Sequence, residues 1–174
     1  TRDADRASER ALRDEVRYQE ERTRIETRAA EDPQRAAEDL AKLEIGNVVY
    51  LTGRVHTARE GVYKRAVEER SNVPSGIGTA SFHCSPAASV GPNRELTVGA
   101  VTATASFRFA KWIDGWLDMS GCNVIIGKGG MSSEIYRESF VPHKAINLTT
   151  VGYGTGALLG RGIDPDSVDA GGDP

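Results

Sequence analysis

Three side chains in this sequence combine type and place in a way that suits holding a small anion: Arg59, Arg108 and Lys128, with the hydroxyls of Thr102, Thr104 and Ser106 beside them. Arg59 ends the strand-like run Val55-His56-Thr57-Ala58. Thr104 and Arg108 lie in Thr102-Ala103-Thr104-Ala105-Ser106-Phe107-Arg108, and Lys128 lies in the turn Gly127-Lys128-Gly129-Gly130. Each falls where a strand stops and a helix follows, and such strand ends gather at one rim of a sheet, where anionic ligands are held. Two guanidiniums can grip carboxylates bidentately, while an ammonium acts as a point charge. The hydroxyls of Thr102, Thr104 and Ser106 can cap free backbone N–H groups or serve a ligand. Glycines around Lys128 let backbone approach that ligand closely. Scattered surface cations remain the alternative that composition alone favours.

The elements that must position these groups read as α/β. The segment Glu95 to Val101 is a strand, and Phe109, Trp112, Ile113, Trp116 and Leu117 recur at helical spacing. Val124-Ile125-Ile126 is a short apolar run suited to a strand buried on both faces. Glu60 to Arg70 reads as a helix with Val62, Ala66 and Val67 inward, and Ala80 to Cys84 as a strand ended by Ser85-Pro86. A loop is expected over Pro86 to Arg94, a polar helix over Ser133 to Phe140 and a strand over Ala145 to Val151. The glycines from Gly152 to Gly162 predict a turn-prone segment. Thr1 to Leu43 is rich in Arg, Glu, Asp and Ala, interrupted by Asp32-Pro33, and predicts a charged helical extension. It is either solvated or an arm packed on a second subunit. The globular domain is expected over 44–163, and Asp164 to Pro174 as a disordered tail.

Several functions are disfavoured. A net charge of −3 with mixed signs offers no basic stripe for nucleic acid. No apolar run has membrane-spanning length and no secretory h-region is seen, so a cytoplasmic protein with reduced thiols is expected. Cys84 and Cys122 are the only cysteines, too few to hold an iron–sulfur cluster, which would need a partner chain. His56, His83 and His143 lack ligand spacing and read as packing or surface residues, so no metal site is expected on this chain. His83 and Cys84 are strand neighbours facing opposite ways, a poor base–nucleophile pair. Gly152-x-Gly154-x-Gly156 lacks the dinucleotide spacing, and the Lys128 turn lacks that of a P-loop.

Glu38 to Asn47, Leu51-Thr52-Gly53-Arg54-Val55 and Thr57-Ala58-Arg59-Glu60 resemble the start of the β subunit of iron–sulfur class I fumarases and L(+)-tartrate dehydratases. Where that family carries Arg-Asp-x-x-His-x-Arg/Lys, this chain has Arg59-Glu60-Gly61-Val62-Tyr63-Lys64-Arg65. Where it carries Gly-Pro-Thr-Thr-x-x-Arg-Met-Asp, this chain has Thr102-Ala103-Thr104-Ala105-Ser106-Phe107-Arg108-Phe109-Ala110. The Gly-Lys-Gly turn is similar to Gly127-Lys128-Gly129. The likeness runs from about Glu38 to Gly162.

The resemblance implies a swivelling β/β/α domain over 44–163. It implies a hydro-lyase that adds or removes water across the C=C bond of a small dicarboxylate, active only with an α subunit in an α2β2 heterotetramer. That α subunit would carry the [4Fe-4S] cluster on its own cysteines. Arg59, Arg108 and Lys128 would hold substrate carboxylates, and Thr104 would be the proton-abstracting base. The departures at Glu60, Tyr63, Thr102, Ala103, Ala105, Phe109 and Ala110 change the supports around these groups. An alternative is a catalytically inactive swivelling domain that binds an anion or regulates a partner.

Overall fold

The computed structural model describes residues 27–28, 38, 40–49, 51–52, 54–92, 96–150 and 156–163. Two compact units divide the chain after Gly53. In the first, β1 (Thr27–Arg28) pairs in parallel with β2 (Leu51–Thr52). Extended chain at Thr27 and Arg28 replaces the helix expected there, and most of the expected helical extension lies outside the described residues. So does the tail from Asp164.

The second unit is α/β. Strands β3 (Val55–Ala58), β4 (Ala80–Val90), β6 (Val124–Gly127) and β7 (Ile146–Thr149) lie side by side in that order, all parallel, and β5 (Leu96–Ala103) pairs antiparallel with β4. Helix α1 (Glu60–Val67) follows β3. Helix α2 (Ala110–Ser120) follows β5 through a 3-10 turn at Ser106–Phe109. Helix α3 (Ser133–Ile135) follows β6 and runs on into a π-helical turn at Tyr136–Phe140. Among the described residues no helix is long and apolar enough to cross a membrane.

The apolar stripe of α2 does what its spacing predicts. Trp112, Ile113, Trp116 and Leu117 are all buried, and they pack with Tyr63 and Ala66 of α1, Phe109, Ile125 and Phe140. Gly115 lets the two helices approach, since a Cβ there would lie 2.8 Å from a Val67 methyl. Gly121 closes α2 with φ +67, its N–H bonded to the Leu117 carbonyl.

Two expectations fail, each for a physical reason. Pro86 to Val90 is strand, not loop. Up to Phe82, β4 is flanked by β3 and by β6, and His83 pairs with β3, but from Cys84 onward the strand is paired only with β5, and the register shifts between Pro86 and Ala88. A strand paired on one side tolerates a proline at a bulge. Ser85 and the residues from Ala87 to Val90 are exposed, so no apolar alternation marks them in the sequence. The glycine-rich segment is likewise helical at α4 (Gly156–Arg161). A Cβ on Gly160 would overlap the Gly99 carbonyl, and one on Gly156 would overlap the Thr102 hydroxyl. Glycine here lets a helix lie directly on the backbone of β5, which offsets its poor helix propensity.

Candidate functional site

Register brings three of the four sequence-selected residues to one rim. Ala58 pairs with His83, Phe82 with Ile126 and Gly127 with Thr149, so the parallel strands end together. Arg59 follows at once, in extended conformation (φ −103°, ψ 173°), as the N-cap of α1. Thr104 leaves β5 with its N–H donated to the His83 carbonyl at 2.7 Å. The Lys128 N–H donates to the Thr104 carbonyl at 3.1 Å, and the Ser106 N–H donates to the Lys128 carbonyl at 3.0 Å. Ala105 and Lys128 thereby form a parallel bridge. The two stretches carrying Thr104 and Lys128 are a single stitched turn.

Arg108 joins them through the 3-10 turn. Its Nε lies 2.9 Å from Glu60 Oε1, at the first residue of α1 and next to Arg59. Both side chains are about half exposed, so the pair is worth at most about 1 kcal/mol. What it does fix is direction, because the guanidinium is engaged through Nε. Arg59 and Arg108 are exposed, and Thr104 and Lys128 half-buried.

The Lys128 turn is held from its far side. Gly129 takes φ +68, a conformation that favours glycine. Tyr136 Oη accepts from the Met131 N–H at 3.0 Å and from Asn147 Nδ2 at 3.2 Å, and the Thr150 N–H donates to the Gly127 carbonyl at 2.9 Å.

Beneath the rim lies a group of residues that sequence reasoning does not assemble. Ser81, Tyr63, His83 and Ser106 are fully buried. Tyr63 Oη lies 3.3 Å from Ser81 Oγ and 2.9 Å from His83 Nε2, and His83 Nδ1 lies 3.1 Å from Ser106 Oγ. The His83 ring stacks on Phe109 with centroids 3.8 Å apart, and Tyr63 stacks on Trp116 at 4.4 Å. Burial pushes the His83 imidazolium pKa down to about 3 and raises that of the Tyr63 phenol, so both are neutral at pH 7. In one tautomer the phenol donates to Nε2 and Nδ1–H donates to Ser106; the other reverses both bonds. Ser81 and His83 share a strand face by their spacing of two, the one signal available beforehand.

Ser106, read as a helix cap or a ligand group, is therefore neither. The 3-10 turn has Ala105, not Thr104 or Ser106, as its N-cap, with no side-chain bond.

The cysteines do not suit a metal cluster. Cys84 and Cys122 are both buried; burial pushes the Cys84 thiol up to about 11 and raises that of Cys122. Among the described residues no three His, Cys, Asp or Glu side chains converge on a point that could hold a metal. Two buried thiols, Cys84 and Cys122, are too few to ligate an iron–sulfur cluster. What the rim can do is receive an anion with two or more carboxylates.

A family model for the fumarase C-terminus matches residues 3–165. The L(+)-tartrate dehydratase subunit beta of Escherichia coli K12 is 32% identical over 96 residues, 55% of this chain and 47% of that subunit. The Shigella sonnei subunit of the same name is 31% identical over 96 residues, again 55% of this chain and 47% of the subunit. A Geobacillus stearothermophilus protein provisionally named fumarate hydratase class I is 24% identical over 148 residues, 80% of this chain and 28% of that protein. The chain thus spans about half the length of the tartrate dehydratase subunits it matches.

Proposed function

The chain belongs to the fumarase C-terminus family, and on that premise we propose that it is the β-type part of a hydro-lyase acting on a small dicarboxylate with an α subunit, in an α2β2 assembly. The α subunit carries the [4Fe-4S] cluster, which when bound supplies a Lewis-acidic iron for the substrate hydroxyl. The observation that carries the reading is the stitched turn joining Thr104 to Lys128 at the rim where Arg59 and Arg108 also emerge. The names of the relatives support the reaction class.

In this reading Arg59, Arg108 and Lys128 hold the two carboxylates and fix the substrate's orientation. In the dehydration direction the Thr104 oxygen removes the proton from the carbon beside a carboxylate. The C–H electron pair becomes the new C=C bond, and hydroxide leaves the neighbouring carbon. Hydration runs the same events backward. A threonine hydroxyl is a weak base, so its deprotonated form must be favoured by cations close to it. The backbone bond from the Lys128 N–H to the Thr104 carbonyl keeps the two residues adjacent at the rim. The swivelling of the domain and a cytoplasmic location belong to the same proposal.

The test is co-expression with a candidate α subunit, sought as a neighbouring reading frame with three well-placed cysteines, then anaerobic purification and assay of fumarate, mesaconate and L(+)-tartrate in turn. Turnover by the pair and by neither part alone is expected. Binding of dicarboxylates without turnover by a cluster-loaded pair would replace the enzyme with an anion-binding regulatory domain.

A further inference from the structure

We infer that His83 is a positioning residue for the Thr104–Lys128 turn: its carbonyl holds Thr104 from the backbone while its ring holds Ser106 from beneath. The catalytic consequence rests on the hydro-lyase reading above; the geometric claim does not.

Three segments meet at this one residue. From β4, the His83 carbonyl accepts the Thr104 N–H at 2.7 Å, and from the turn, Ser106 Oγ meets Nδ1 at 3.1 Å. From β6, Gly127 comes so close that a Cβ would overlap Ser106 Oγ and stand 3.2 Å from His83 Nδ1. Ser106 passes the constraint on, because its N–H donates to the Lys128 carbonyl while the Lys128 N–H donates to Thr104. Both polar edges of the ring are thus engaged, one on the turn and the other on Tyr63, itself backed by Ser81. A hydrocarbon ring would stack on Phe109 equally well, so packing alone does not call for an imidazole. Buried polar groups of this kind define one arrangement where an apolar core would tolerate several.

His83→Phe keeps the ring stack but takes the imidazole from both Ser106 Oγ and the Tyr63 phenol at a fully buried place, so that variant loses stability whatever its role. His83→Phe combined with Ser106→Ala removes the unpaired hydroxyl, while the Tyr63 phenol, which also loses His83, keeps Ser81 at 3.3 Å, so stability should return part of the way to that of the parent. The informative readout is therefore local. Amide hydrogen exchange is measured by NMR on the full chain, at Thr104, Ser106 and Lys128 against Ile125 and Ile126 of β6. Positioning predicts that in the double variant the three turn amides exchange about tenfold faster than in the parent while the β6 amides do not change. With the α subunit, kcat should fall about 10–100-fold with a smaller change in KM.

Recovery of turn protection together with stability would overturn the inference and leave His83 a packing residue. Uniformly faster exchange across the sheet would do the same. An assembled parent that turns over no dicarboxylate would instead remove the hydro-lyase reading, while the exchange data still decide the role of His83.

Discussion

Lowering the pH from 7.5 to 5.0 should destabilise this protein more than it destabilises a His83→Phe variant. His83 is fully buried and its pKa is pushed down to about 3, against 6.5 for an unperturbed imidazole. Between those values the unfolded chain binds a proton at this position and the folded chain does not. Stability is therefore fully present above pH 6.5 and is lost as the pH falls toward the folded value. The loss approaches ~1.4 kcal/mol per pH unit, and integrated down to pH 5.0 it amounts to about 2 kcal/mol. That is a substantial share of a domain stability of about 5–15 kcal/mol. His56, also lowered by burial against a backbone bond to Ile77 that raises it, contributes a loss of the same sign. It is present in both proteins and cancels in the comparison. Urea unfolding of both at pH 7.5, 6.5, 5.5 and 5.0 gives the difference directly. Stability curves that run parallel would mean that His83 takes up a proton in the folded state, and would refute the description of a neutral buried imidazole.

Gly127→Ala places a methyl against Ser106 Oγ and His83 on a strand pinned by both β4 and β7. A loss of about 1–3 kcal/mol is expected in thermal or urea unfolding, and an unchanged midpoint would deny the close packing described. Arg108→Met and Arg59→Met remove exposed cations, one of them in a half-exposed pair with Glu60, so stability should change by less than about 1 kcal/mol. On the proposed function, turnover by the complex with an α subunit should collapse with either change, and severe unfolding would show a structural role instead. Gly160→Ala should destabilise by pushing α4 off the Gly99 carbonyl, read as faster exchange at β5 amides with β6 and β7 spared.

The candidate rim was legible because strand-to-helix junctions leave sharp marks: Arg59 after Val55–Ala58, and Lys128 among glycines after Val124–Ile126. The stitched turn between Thr104 and Lys128 was not, since backbone pairing across 24 positions leaves no trace in residue type. The same holds for the buried network. Ser81 and His83 share a visible strand face, but Tyr63 arrives from α1 and Ser106 from a turn, and only tertiary register joins them. The outer half of β4 escaped because, with the residues around Pro86 mostly exposed, it needs no apolar alternation. Helix α4 escaped because Gly156 and Gly160 read as breakers until the backbone they rest on is known.

The central claim is that Thr104 does chemistry at this rim, and Thr104→Ala tests it most directly when turnover and thermal stability are measured on the same preparation assembled with the α subunit. The N-cap of the 3-10 turn is Ala105, not Thr104, so the melting temperature should hold while kcat falls about 10²–10⁴-fold with little change in KM. Normal turnover with a lowered melting temperature would contradict the account and make Thr104 a structural residue.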